Sequence, residues 1–285
     1  MPTQEQDPIY QRERLRDRLR KAREAAHHTQ RDVAESLEWS PSKIIRIENG
    51  SVGVSITDVR VLLDHYGVSD PSDVRELTDM ARAAKQPPWW APYRGIAHPD
   101  YLTFISYETS ASIIRNFQTA LIPGLLQTEE YAREIINNAK TDPQLLDLRL
   151  ERQDRLLRQD GPELFFILDE SAIRRVVGNQ GIMRNQLEKL LTLNELPNVT
   201  VLVAPFSAGL YPQFRSPYVI FEFTDVSDDL VAYLESPDGQ VLFSEKNPGY
   251  SGPRKPSDYL DAFWSVEKTV AQEVSENLLF QGMDQ

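Results

Sequence analysis

Residues 29–50 read TQRDVAESLEWSPSKIIRIENG, and this stretch decides the fold of the N-terminal part of the chain. Thr29 stands where a helix N-cap is expected, with Asp32 three residues later, close to the capping-box pattern. Val33, Ala34 and Leu37 then form the apolar face of a short helix. Ser40 starts a second helix, with Pro41 at its first position, where the missing N–H costs nothing. Ile44 and Ile47 anchor that helix from behind, and Asn49-Gly50 stops it. Ala34 is small where the second helix must cross closely, and Leu37–Trp39 supplies a tight turn, with Glu38 in place of the glycine often found there. Short polar and basic residues lie at the start of the second helix, where base edges are reached in a major groove. The reading is a helix-turn-helix. The competing one is a helical bundle whose charged faces are merely solvated.

Working outward, Leu15, Leu19 and Ala22 recur at helical spacing in residues 10–26. Ser55 caps a further helix with Val59, Leu62, Leu63 and Tyr66 inside and Gly67 at its end, and residues 71–85 give a fifth, weaker helix. The run Gln86-Pro87-Pro88-Trp89-Trp90-Ala91-Pro92 cannot continue as helix. The sequence therefore divides into a helix-turn-helix domain at 1–86, a Pro/Trp linker at 87–98 whose two Trp could pack on either side, and a C-terminal domain at 99–285. That domain is expected to begin helically over about 99–158, interrupted at Ile122-Pro123-Gly124, with Thr128 capping a helix that carries Tyr131, Ala132, Ile135 and Ile136. Leu164–Leu168, Val199–Val203, Tyr218–Phe223 and Leu230–Leu234 read as strands. Helices are expected at about 170–177, 180–194 and 256–280, the last with Leu260, Phe263, Val266 and Val270 on one face. The predicted class is multidomain: an all-α five-helix domain followed by an α+β domain with a small mixed sheet.

The 285 residues are 40% hydrophobic and 26% charged, an ordinary globular balance. There is no cysteine, which excludes disulfides, thiolate metal sites and a catalytic thiol. The N-terminal stretch has no apolar run of the signal-peptide kind, and no stretch of about 18 apolar residues could span a membrane, so a cytoplasmic protein, nucleoid-associated when on DNA, is expected. The net charge of −12 is unevenly spread. Residues 9–50 hold ten Lys/Arg against seven Asp/Glu, a local +3 on a remainder of −15. A basic head on an acidic body can still meet phosphates at short range.

With these residues in hand, 15–67 resembles the xenobiotic-response-element family of bacterial and phage repressors, down to the Ile-Glu-Asn-Gly ending. The resemblance implies phosphate contacts from Thr29, Gln30 and Asn49, with Arg31 and Ser40 beside them, and places Pro41, Ser42, Lys43 and Arg46 toward the groove. Arg46 is the candidate for bidentate reading of guanine. Glu48 would pair with Arg23 in a structural role. Pro41 stands where phage repressors carry a base-reading glutamine. Ile45 stands where serine is common, and could touch a thymine methyl or simply pack.

In the second domain, Ile122-Pro123-Gly124-Leu125-Leu126-Gln127-Thr128-Glu129-Glu130-Tyr131-Ala132, then Leu168-Asp169-Glu170-Ser171-Ala172, Arg174-Arg175-Val176-Val177-Gly178, Met183 and Gln186-Leu187, together with the Trp pair, resemble a large actinobacterial regulator family related to WhiJ. That resemblance implies an antitoxin-like regulator with a small protein partner encoded nearby. Read from the residues, Thr128 opens a helix whose N–H groups could hold an anion or is a plain cap. Asp169 and Glu170 invite an acid–base role, while the competing reading makes Glu170 or Ser171 a helix cap. Arg174 and Arg175 could bind an acidic ligand or pair with those carboxylates. Phe206, Tyr211, Phe214 and Tyr218 could line a pocket or belong to the core. His27, His28, His65 and His98 match no zinc spacing, and neither a phosphate loop nor a nucleophile elbow occurs. The tail Glu276–Gly282 resembles a viral-protease cleavage tag with Leu279 in place of tyrosine, yet also continues a helical pattern.

The expectation is a sequence-specific DNA-binding transcriptional regulator, a repressor that binds double-stranded operator DNA as a homodimer. Its C-terminal domain would take a small protein partner or ligand, with no cofactor, no metal and no catalytic residue. An interface along the C-terminal helix, Phe263 included, is expected. The rival readings are a protein-interaction module that does not touch DNA, and an enzyme tethered to DNA through which Asp169 and Glu170 act.

Overall fold

The computed structural model describes residues 7–50, 52–224, 230–236, 239–245 and 254–281. It divides into two compact units, Glu5–Ala91 and Pro92–Gln285.

The first unit is all-α. Its five helices are α1 (Pro8–Ala25), α2 (Gln30–Ser36), α3 (Pro41–Glu48), α4 (Ile56–His65) and α5 (Pro71–Ala83). Each start has a local cause. Asp7 Oδ1 accepts from Ile9 N at 2.8 Å, Ser55 Oγ from Asp58 N at 2.9 Å and Asp70 Oδ1 from Ser72 N at 2.7 Å, each satisfying an amide that the helix leaves without a partner. At α2 the capping box is complete: Asp32 N donates to Thr29 Oγ1 at 3.2 Å and Thr29 N to Asp32 Oδ2 at 2.8 Å. Ser40 differs from expectation. It occupies the N-cap position of α3, but its side chain makes no cap bond, and Pro41 needs none. Leu15, Leu19, Val33, Ile44, Ile47, Val59, Leu62, Leu63 and Leu77 converge in one buried core. Trp90 is buried in this unit, its indole N–H donating to Asp7 Oδ2 at 2.8 Å.

The second unit is built on a seven-stranded mixed sheet: β1 (Ile113–Gln118), β2 (Glu163–Asp169), β3 (Val199–Ala204), β4 (Tyr218–Glu222), β5 (Val231–Ser236), β6 (Gly239–Ser244) and β7 (Gln272–Glu273), in the order β6-β5-β4-β1-β2-β3-β7. β1, β2 and β3 run parallel, and the remaining pairs are antiparallel. Around it lie α6 (Pro99–Ser110), α7 (Glu129–Ala139), α8 (Gln144–Leu156), α9 (Glu170–Arg174), α10 (Gln180–Asn194), α11 (Pro256–Thr269) and α12 (Glu276–Phe280). Tyr259, Phe263 and Val266 of α11 cover one sheet face against Phe117, Ile167, Tyr218 and Ile220. On the other face, Phe104 of α6 packs its ring on Phe221 at 5.4 Å and Tyr233 at 4.5 Å.

Three expectations are corrected here. Residues 99–158 are not helical throughout: β1 lies among them as an inner strand. Its polar Arg115 and Asn116 hide the apolar run expected of a strand buried on both faces. Both are buried, Arg115 donating to Glu222 Oε1 at 2.7 Å and lying 4.5 Å from the Phe165 ring. The closing helix is broken, because the apolar spacing through Val270 continues past the real end at Thr269 into β7 and α12. Phe263 is fully buried in its own domain's core and offers nothing to a dimer interface. The α+β class with a mixed sheet holds, with seven strands where the apolar runs marked four.

Two devices stabilise the layout. Around Ile122–Thr128, Gln153 Nε2 donates to Gly124 O at 2.7 Å and to Gln127 O at 2.9 Å. Gln186 donates to Leu126 O and accepts from Thr128 N, both at 2.7 Å. Buried amides thus satisfy a loop that has little secondary structure of its own. At the sheet flank, β7 pairs only with Leu202 and Val203 of β3. Val201 N donates instead to Asn194 Oδ1 at 2.7 Å and Val199 N to Leu196 O at 3.1 Å. The tail helix belongs to this unit. Leu279 is buried, and Arg174 donates to the carbonyls of Leu278 at 2.7 Å and of Leu279 and Gln281 at 2.9 Å. Gly282 lies outside the described residues.

Candidate nucleic-acid interface

The turn between α2 and α3 is tight because Glu38 adopts a left-handed conformation, φ 55°, and Trp39 N reaches back to Ala34 O at 2.8 Å. Left-handed backbone costs a side-chain-bearing residue roughly 1–2 kcal/mol, which is why glycine is common at such a point. Behind α3, Ile44 and Ile47 are buried, as is Glu48. Glu48 accepts from Arg23 Nε at 2.6 Å and Nη2 at 2.9 Å, and from Gln30 Nε2 at 2.8 Å. Burial works against the Arg23 charge, but the hydrogen bond to Glu48 outweighs it and holds the guanidinium above its ordinary pKa.

With one side of α3 so anchored, Pro41, Ser42, Ile45, Arg46 and Asn49 are exposed. Their spacing puts them on a single helical face. Arg46 Nε donates to Ser42 O at 3.3 Å, and among the described residues no carboxylate pairs with it. Thr29, Gln30 and Arg31 of the α2 start line the same open groove as Pro41 and Ile45. Arg31 is exposed and ion-paired with Glu35 at 2.8 Å.

Lys43 does not share the outward face. Its ammonium sits 3.4 Å from the centroid of the Trp39 ring and 2.8 Å from Asp58 Oδ1. Gln30, expected at phosphate, is drawn toward Glu48, and Thr29 uses its hydroxyl in the capping box. The basic stripe of α1 is largely neutralised within the unit: Arg14 and Arg18 reach Glu76, and Arg16 pairs with Glu13. Ile45, for which contact with a thymine methyl and simple packing were both open from the sequence, is 45% exposed and lies on the outward face. Its place between the two anchoring isoleucines, Ile44 and Ile47, is what left both readings open.

In the second unit, the two carboxylates at the end of β2 are both engaged. Asp169, rather than Glu170 or Ser171, is the N-cap of α9: its Oδ1 accepts from Ser171 N at 2.9 Å, and its Oδ2 accepts from the Tyr211 hydroxyl. Burial and this bond raise the Tyr211 pKa. Glu170 accepts from Phe206 N at 2.7 Å and Arg174 Nε at 3.0 Å. Tyr211 and Tyr218 belong to the core, Phe214 packs against it, and Phe206 is 61% exposed. Thr128 caps α7, its Oγ1 accepting from Tyr131 N at 3.2 Å. Among the described residues no group of His, Asp and Glu could hold a metal ion, and no helix is long and apolar enough to cross a membrane.

Residues 14–77 match the model of a helix-turn-helix domain. Residues 101–249 match the model described as domain of unknown function (DUF5753). No curated protein and no solved structure matches the chain. The second model covers more than half of the 285 residues, so the chain belongs to the family defined by that domain of unknown function and carries a helix-turn-helix domain ahead of it.

Proposed function

We propose that this protein is a sequence-specific, non-catalytic DNA-binding regulator, a repressor that binds a near-palindromic operator as a homodimer. Two copies of α3 enter successive major grooves about 34–36 Å apart. The single observation behind this reading is the outward face of α3, where Pro41, Ser42, Ile45, Arg46 and Asn49 stand exposed on a helix anchored from behind by Ile44, Ile47 and the Glu48–Arg23 pair. Arg46 reads guanine, and Thr29, Gln30 and Arg31 approach the backbone. The C-terminal domain binds a small protein partner or ligand that biases DNA binding, a coupling typically worth about 1–3 kcal/mol. Support for a non-catalytic role is that Asp169 and Glu170 already serve as cap and tether.

The test is selection from a random duplex library by the purified full chain, repeated with Arg46→Ala. The expected result is an enriched palindrome whose affinity falls roughly 5- to 150-fold in the variant, corresponding to the loss of one bidentate base contact. Equal enrichment by both proteins would refute the reading.

A further inference from the structure

Ile45 is a large aliphatic side chain, 45% exposed, in the middle of the outward face of α3. Pro41 precedes it by one turn and is also exposed, so the two form a small apolar step on a face otherwise made of Ser42, Arg46 and Asn49. Ile44 and Ile47 supply the anchoring to the bundle, and Ile45 adds nothing to that core. In the major groove the exposed apolar feature of a base edge is the C5-methyl group of thymine. The geometry points to Ile45, backed by Pro41, as the reader of a C5-methylated pyrimidine in each operator half-site, next to the base pair met by Arg46. This rests on the DNA-binding reading above, and deepens it by naming the base feature that the apolar step recognises.

The chemistry is selective in a way that a polar reader is not. Deoxyuridine pairs like thymidine and lacks only the methyl group, and 5-methylcytosine in a C·G pair carries the methyl at the same groove position. Ile45 therefore discriminates by methyl content rather than by hydrogen-bond pattern.

The experiment uses the full chain and the duplex recovered by selection, with each thymidine of one half-site replaced in turn by deoxyuridine. One position is expected to lose about fourfold in affinity, the equivalent of one buried methylene. In Ile45→Ala that position becomes insensitive, while Arg46→Ala keeps the sensitivity on a weaker background. At the same position, 5-methylcytosine should bind more tightly than cytosine by a similar factor. An operator that binds but tolerates deoxyuridine throughout, or a sensitivity that survives unchanged in Ile45→Ala, overturns the inference and leaves the DNA-binding reading standing. If no duplex is selected at all, both fall.

Discussion

Glu48 takes both arms of the Arg23 guanidinium, Nε at 2.6 Å and Nη2 at 2.9 Å, in a setting where both side chains are almost wholly buried. Removing one partner strands the other charge, so Arg23→Met should cost about 3–5 kcal/mol. Urea titration of the full chain, read through protection of the Val33 and Ile47 amides, measures it. Replacing both residues by Met should recover most of the loss. A single variant costing under about 1 kcal/mol would mean that solvent already stabilises the pair.

Lys43 is held by Asp58 and the Trp39 ring. Lys43→Ala should leave the slope of log affinity against log salt nearly unchanged, because no phosphate contact is lost. Asp58→Asn frees the ammonium for the backbone, and the slope should steepen by about 0.9. A slope that flattens in Lys43→Ala would put this lysine on a phosphate after all.

Asp32 and Asp70 titrate below the usual carboxylate range, Asp32 chiefly through its hydrogen bond from the Thr29 backbone and Asp70 chiefly through its bond from Ser72. Their folded-state values lie below the unfolded one. The stabilisation is therefore complete above the unfolded value and disappears as pH falls through the folded values. Melting of the first unit should separate wild type from an Asp32→Asn/Asp70→Asn variant at pH 6, and the two curves should converge toward pH 2. A gap that persists in acid would assign the effect to shape rather than charge.

Tyr211 and Tyr218 look alike in sequence but differ in what their hydroxyls meet. Tyr211 donates to Asp169, whereas the buried Tyr218 hydroxyl meets no hydrogen-bond partner among the described residues. Tyr211→Phe should destabilise the C-terminal domain by about 1–3 kcal/mol, and Tyr218→Phe should be neutral or stabilising. Calorimetry of the two variants side by side decides it, and a substantial loss in Tyr218→Phe would reveal a partner for that hydroxyl.

The helical half of the fold was legible because caps and stops are local. Thr29, Pro41, Asn49, Ser55 and Gly67 each mark an end within a turn of where the structure has one. The sheet was legible only where strands are apolar without interruption. β1 was lost because Arg115 is accommodated by Glu222 and the Phe165 ring, tertiary partners far away in the chain. β7 has two residues and carries no periodicity to read. At the candidate interface, the direction in which Lys43 turns depends on Asp58, fifteen positions later, and the exposure of Ile45 depends on which two of three isoleucines the bundle takes.

The outward amides of β3 bear on how copies of this chain can meet. Val199 and Val201 give theirs to Leu196 and Asn194, and β7 covers Leu202 and Val203. Edge-to-edge growth of a sheet needs a row of free donors, and this flank has been closed residue by residue by a loop carbonyl, a side-chain amide and a two-residue strand. Asn194 takes the Val201 amide, which neither the preceding turn nor β7 reaches, so Val199–Val203 offers another strand no row of free outward donors.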